Sequence, residues 1–457
     1  MEIEDYLNEL DLKKIQCEYC DVRIEDTTNT TIVFDDYELV NCEVKPSLGA
    51  FIRVYSQGMW YYGSTTDIFS LDREINSLIA QADHFGITSQ NENLVPYNTE
   101  ASVNTILEYS EKDVRKVPIS KKIEFCRSYF EMVKSFEKLE GVFVRYVDHF
   151  KMKYFKSSTD VSFTYDFNQC GSVISYSILD GDKRFDDSVK SYSDSFETLA
   201  EKSAHFKSEI IEGHDFLEAS TVEAGSYPVV MESSVVGVFA HESFGHKSEA
   251  DFMLGDDKAT EDWKIGSKIA HENLSIVDYG AEKGTSGYCP IDDEGFPTQK
   301  TYLIKDGILA GRLHSQYTSS VFNEAPTGNG RSINFEFEPI VRMTNTYVET
   351  GKKSLDELIK SVKKGIYVKD FRHGSGLSTF TIAPIKSYMI RDGKIAEPVK
   401  ASVLSGSVFE TLGLIEGCTT DFELLSSSFG GCGKMEQHPL LVGFGGSKVL
   451  ISKMMVS

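Results

Sequence analysis

The sequence predicts an α+β protein, with an N-terminal α/β region of antiparallel strands and helices over residues 1–222 and a β-rich C-terminal domain over 223–457. Three observations predict it. Alternating apolar and polar runs, separated by turn residues, dominate residues 18–62. Helical periodicity is confined to a few short segments between such runs. Beyond Ser226 the chain turns richer in glycine and in short apolar runs, and at 457 residues it is too long for one hydrophobic core.

Taken in order, residues 1–16 suit a short acidic helix. From Glu18 to Tyr62 the runs CDVRIED, TTIVFDD, GAFIRVYS and GMWYYGS form an antiparallel meander. A helix follows over Ser70–Ala82 and ends near Gly86. The polar, aperiodic stretch Thr88–Asn104 reads as a linker, dividing the N-terminal region into subdomains of about 1–87 and 105–222. Pro118 and Ser120 introduce a helix over Ser120–Glu137, and strands follow in GVFVRYVDHFKMKYF and VSFTYDF. Asp194, spaced to Glu197 like a capping box, starts a helix that runs to Ile211. In the C-terminal half, Tyr302–Ala310 (YLIKDGILA) and Tyr388–Ala396 (YMIRDGKIA) each place Asp-Gly between apolar runs and so predict hairpins. Their likeness fits an internal duplication or simply two similar hairpins. One notable helix opens this half, over Val235–Asp251.

Charge excludes some function classes. With 70 Asp+Glu against 47 Lys+Arg the formal net charge is −23, and no basic cluster offsets it. Such a surface repels phosphate, so neither nucleic acid nor anionic membrane is an expected partner. Met1–Leu10 is acidic where a secretory signal would be basic and then apolar, and Pro228–Ala240 is too short to span a bilayer. A soluble, cytoplasmic protein is expected. The eight cysteines are scattered, which predicts reduced thiols, and the Cys17–Cys20 pair is read as structural.

The opening helix of the C-terminal half holds the chemistry. It reads VVGVFAHESFGHKSEAD and includes His241-Glu242-Ser243-Phe244-Gly245-His246. Two neighbouring imidazoles can hold zinc, and the carboxylate beside them can take a proton from a water on the metal. On a regular helix, residues five apart diverge by roughly 140°. The spacing therefore demands a widened, π-type turn, which Gly245 makes less costly. A third ligand is left open among the eight cysteines, with Cys432 favoured by its flanking glycines.

Further motifs follow: Ile291-Asp292-Asp293-Glu294-Gly295, Thr327-Gly328-Asn329-Gly330-Arg331, Arg342-Met343-Thr344-Asn345-Thr346 and Gly431-Cys432-Gly433-Lys434. With the His-Glu-His set and the strand-rich GAFIRVYSQGMWYYGST, the chain resembles the TldD/PmbA family, specifically its TldD-like, metal-bearing members. The resemblance covers nearly the whole chain. It implies that His241, His246 and Cys432 bind the metal and that Glu242 activates water for peptide hydrolysis. Zinc is the implied ion, with iron as the alternative. It also implies an unfolded or maturing peptide as substrate and a dimer, either with a PmbA-like partner that lacks the motif or with a second copy. A non-catalytic peptide-binding or scaffold subunit is the competing reading. Four departures from the family pattern, at Ala250, Ser332 and Glu436 and in the lack of a proline after Gly445, bear on substrate contacts.

Other residues are open. Glu249 and Asp251 are candidate acceptors for imidazole N–H groups. Asn329, Arg331 and Asn345 either bind peptide backbone or hold the site together. His314, His373 and His438 are candidate proton donors or oxyanion partners. A strand edge in the C-terminal half is expected to take up an extended peptide.

Overall fold

The computed structural model describes residues 2–85, 102–202 and 205–457, and it is a mixed α+β protein with a β-rich C-terminal half. The alternating runs of the N-terminal region become β1 (Tyr19–Asp35), β2 (Glu38–Ser56) and β3 (Met59–Thr65). They are followed by β4 (Ser102–Ile106), β5 (Leu139–Ser157), β6 (Val161–Asp180) and β7 (Lys183–Ser193). One sheet joins them in the order β3-β2-β1-β5-β6-β4, with β7 also on β6. Because β1 pairs with β5 from Asp21↔Ser157 to Asp35↔Phe143, segments from both sides of the polar stretch share that sheet. The linker expected over Thr88–Asn104 falls mostly outside the described residues, but its end, from Ser102, is already strand β4, parallel to β6.

Helices cover this sheet through their apolar stripes. Leu71–Phe85 buries Leu71, Ile75, Leu78 and Ala82. Ile119–Val133 buries Phe125, Cys126, Tyr129, Phe130 and Val133. The helix expected from Asp194 to Ile211 is described as two pieces, Phe196–Lys202 and His205–Asp215. Its cap lies one residue later than expected. Ser195 Oγ accepts from the Thr198 N–H, while Asp194 instead receives Lys112 Nζ at 2.7 Å.

The C-terminal sheet has twelve strands. Its last strand, Gly443–Val456, runs antiparallel to Gly225–Met231 and Ile415–Leu425 and parallel to Asn345–Val348. Both Asp-Gly hairpins are present, with positive φ at Asp306 and Gly307 and at Asp392 and Gly393. That is the backbone that a two-residue primed turn requires. Among the described residues four short helices, Asp257–Asp262, Gln316–Phe322, Leu355–Lys360 and Val408–Gly413, add to the one the sequence made conspicuous.

The Ile291–Gly295 motif joins the two halves. Arg23 of β1 meets Asp293 at 3.2 Å, Lys153 of β5 also pairs with Asp293, and Arg53 of β2 meets Glu294 at 2.6 Å. All five side chains are buried. Asp292 turns inward and accepts the N–H groups of Glu294, Phe296 and Gly330 at 2.9–3.0 Å. Buried charges survive only when paired this fully, so removing one partner leaves the others stranded.

Candidate metal centre

The helix that opens the C-terminal half is largely buried: Val235, Val236, Val238 and Phe239 all belong to the main apolar core. It lies between the last strand and the strand Lys364–Gly376. The fit is close enough that a Cβ on Gly237 would fall 2.4 Å from Gly445 N, and one on Gly245 would fall 2.1 Å from Met343 Sδ. Gly237→Ala must therefore move backbone, and we expect it to cost about 1–3 kcal/mol in a denaturant titration; an unchanged midpoint would contradict the packing.

Ordinary α-helix runs from Ser233 to Phe239, then Ala240–Gly245 form a π-helical turn, and α-helix resumes at His246. The widening demanded by the five-residue spacing is thus present, and it swings both imidazoles to one side. Their ring centroids lie 5.1 Å apart at 78°. Cys432 arrives from a separate element, the small hairpin of Cys432–Lys434 and Gln437–Leu440. Its Sγ is 3.5 Å from His246 Nε2, and ligand atoms of His241, His246 and Cys432 all lie within 4.8 Å of one another.

These residues fit a metal ion. Ligands 2.0–2.3 Å from one tetrahedral ion sit roughly 3.5 Å apart. His241 Nδ1 is buried with no protein partner, a costly state unless something outside the chain satisfies it. Charge points the same way. Burial opposes the Cys432 thiolate, but the two imidazoles outweigh it and bring the thiol down to about 5. Burial opposes the His246 proton too, yet Cys432 and Glu249 raise that imidazole to about 10. His241 is also raised, burial being outweighed by Cys432. Thiolate and imidazolium protons share one small volume, and a cation can replace those protons. Two imidazoles and a thiolate leave a fourth position open, as catalytic zinc requires.

Around the donors, Glu249 does face a histidine: its Oε2 is 3.2 Å from His246 Nδ1, which directs Nε2 toward Cys432. Lys434 and His246 outweigh burial and keep Glu249 below its ordinary value. Asp251 does not reach an imidazole. It receives Lys434 Nζ at 2.5 Å, and Lys434 also reaches Glu249 at 3.2 Å and the Val341 carbonyl at 2.8 Å. Arg342 pins the hairpin by donating to the carbonyls of Cys432 at 2.7 Å and Gln437 at 3.2 Å. Lys434 and Arg342 stood inside the quoted motifs without a role. The signal for Lys434 was strand periodicity, since two residues apart puts Cys432 and Lys434 on one face, and both are buried.

Glu242 lines a cavity of about 770 Å³, and so do His241 and Cys432. Its Oε2 is 3.9 Å from His246 Nε2. Burial raises its pKa, tempered by the two imidazoles. His373 is exposed and lines the same cavity. His314 does not: it is buried between Thr318 and Glu324, at 3.1 and 2.9 Å. His438 is exposed on the hairpin and is not among the residues lining the cavity. Asn329, Arg331 and Asn345 hold the framework. Asn329 donates to Asp278 and the Arg342 carbonyl, Arg331 to the carbonyls of Met343 and Leu441, and Asn345 to the Tyr279 carbonyl. Sequence reasoning missed the part of the lining that comes from the N-terminal region: residues Asp187–Ser191 of β7, together with His205 and Glu209.

A helix-borne His-Glu-His set with a cysteine from a distant hairpin, beside a cavity, is a three-donor arrangement of the kind that catalytic zinc sites use. Comparison with known proteins agrees. Residues 224–457 match the model of the PmbA/TldA metallopeptidase C-terminal domain, and residues 20–82 match that of PmbA/TldA metallopeptidase domain 1. The chain belongs to the TldD/PmbA family. A metalloprotease of Synechocystis is 31% identical over 455 residues, covering 96% of this chain and 95% of that one. A zinc metalloprotease TldD homolog of Saccharolobus solfataricus is 35% identical over 244 residues, covering 52% of this chain and 53% of that one. TldE from Thermococcus kodakarensis shares the fold, with a TM-score of 0.78 at 14% identity and complete coverage of both chains.

Proposed function

We propose that this chain is the metal-bearing subunit of a zinc-dependent peptidase acting on unfolded or maturing peptides. The observation that carries the reading is the convergence of His241, His246 and Cys432 on one small volume, beside Glu242 in the cavity lining. When bound, zinc supplies Lewis acidity, polarising a carbonyl and drawing the pKa of a water toward neutrality. Glu242 takes the proton of the attacking water and delivers it to the leaving amine. Glu249 fixes the His246 tautomer, and Lys434 holds Glu249 in place. No helix among the described residues is long and apolar enough to cross a membrane. The working unit is a dimer, either with a PmbA-like partner or with a second copy. Pull-down from the native cell with mass spectrometry distinguishes these.

Glu249→Gln is expected to weaken zinc affinity about 10–100-fold, the usual effect of losing an outer partner of a metal-bound histidine. Competition with a chromophoric chelator measures it, and wild-type affinity would remove Glu249 from the account.

The substrate reading rests on a free strand edge. Among the described residues β7 pairs only with β6, and its residues Asp187–Ser191 line the cavity that Glu242 faces. The sequence placed this edge in the C-terminal half, whereas the edge this reading uses belongs to the N-terminal sheet. An extended chain adds to such an edge through main-chain hydrogen bonds, which read backbone more than side chain. Folded structure is then the main barrier to cleavage. We expect a stable small domain to resist and the same domain, destabilised by a core substitution, to be cut in proportion to its unfolded population. Equal rates on both forms, with one sharply defined cut, would point to a sequence-specific processing enzyme.

A further inference from the structure

A second cavity, of about 430 Å³, shares no lining residue with the first. We propose that it binds a basic residue of a peptide, taking the guanidinium or ammonium group at Glu338, the apolar stem against Trp60, Tyr62 and Met435, and an adjoining amide at Gln316. Only the identification of that peptide as a substrate rests on the peptidase reading.

Gln316 is the first sign of a built site. The residue is 3% exposed, lines the cavity, and has neither Nε2 nor Oε1 hydrogen-bonded, although its own backbone N–H is held by Glu294. A buried carboxamide left with a free donor and a free acceptor is costly, and its complement is another amide. Charge supplies the second sign. Arg53 is already taken by Asp21 on one side and Glu294 on the other, at 2.6 Å each, so it does not call for an anion. Asp251 is taken by Lys434. Glu338, an exposed residue, is the one lining carboxylate with no ion-pair partner among the described residues. The wall between these groups is aromatic. Trp60 and Tyr62 lie parallel within 6° at 6.3 Å, while Tyr317 and Met435 stand exposed at the mouth. Aromatic faces and a thioether suit an alkyl stem and the face of a guanidinium.

The cavity also touches the back of the metal centre. Asp251 in its wall receives Lys434, which reaches Glu249 and through it His246, and Met435 follows Lys434 directly. A peptide seated here would therefore press on the network that orients a metal ligand.

The chain has two tryptophans, and Trp263 is 2% exposed, so a change in emission on ligand addition reports chiefly on Trp60. The probe is Nα-acetyl-arginine N-methylamide, titrated into the full chain. We expect a saturable change that is lost in Trp60→Phe and at least ~10-fold weaker binding in Glu338→Gln. The matched citrulline compound, uncharged, is expected to bind at least ~10-fold more weakly, and agmatine, which lacks both amides, likewise. Because Glu338 is exposed, Glu338→Gln is expected to keep the fold, and circular dichroism checks this. No saturable change up to ~10 mM probe, or equal binding of the citrulline compound, would overturn the proposal; equal binding of agmatine would overturn the peptide assignment. The readout needs no catalysis. Probe binding without any peptide cleavage would sink the peptidase reading alone, and metal-dependent cleavage without probe binding would sink this pocket alone.

Discussion

Glu242→Gln is expected to keep its metal and to lose peptidase activity by at least ~10²–10⁴-fold, the usual worth of a positioned general base. The substitution keeps size and polarity but removes the ability to accept a proton. Glu242 follows His241 directly in the π-helical turn, on the side open to the cavity, and it is not among the three residues whose donor atoms converge. Metal content should therefore be unchanged while turnover falls. The raised pKa that burial gives this carboxyl also suits the role, since a base works best when its pKa lies near the working pH. The assay uses the assembly in which the chain purifies, on an unfolded polypeptide. A variant that retained more than about a tenth of wild-type turnover would assign the base to another group, and His373, exposed in the same cavity, would be the next to test.

Cys432→Ala, His241→Ala and His246→Ala are each expected to strip the metal while leaving the fold largely intact. Three donors at one ion leave only two when any is removed, and a two-ligand protein site rarely retains zinc. The fold does not depend on these side chains. The helix bearing both histidines is packed in the main core, and the hairpin bearing Cys432 is pinned by Arg342 at its carbonyls and by Lys434 at Asp251. Elemental analysis of the purified variants, with far-ultraviolet circular dichroism beside it, separates loss of metal from loss of fold. A full equivalent of metal in Cys432→Ala at wild-type affinity would remove the cysteine from the site.

The legible parts of this protein were those written in local pattern. Alternation gave the N-terminal strands, Asp-Gly gave both C-terminal hairpins, and the five-residue spacing of His241 and His246 already required a π-type turn. Flanking glycines favoured Cys432 among the eight cysteines, but family resemblance was needed to settle on it, because 186 residues separate it from His246 and nothing local records that approach. The roles of Asp293, Glu294, Arg23 and Arg53 were hidden for the same reason: ion pairs between distant segments leave no periodic trace. His314 looked as available as His373 in the sequence, yet Thr318 and Glu324 enclose one while the other lines the cavity. The contribution of β7 to the cavity wall depends on how the two sheets meet, which no single segment encodes.

The central claim is that cleavage depends on the metal held by His241, His246 and Cys432. Its most direct test follows cleavage of one unfolded polypeptide by a single preparation as purified, after removal of metal with a chelator, and after return of zinc or of iron. We expect cleavage to vanish with the metal and to return with about one equivalent of zinc per chain. Cleavage that persisted at its full rate once metal analysis showed the protein empty would contradict the account.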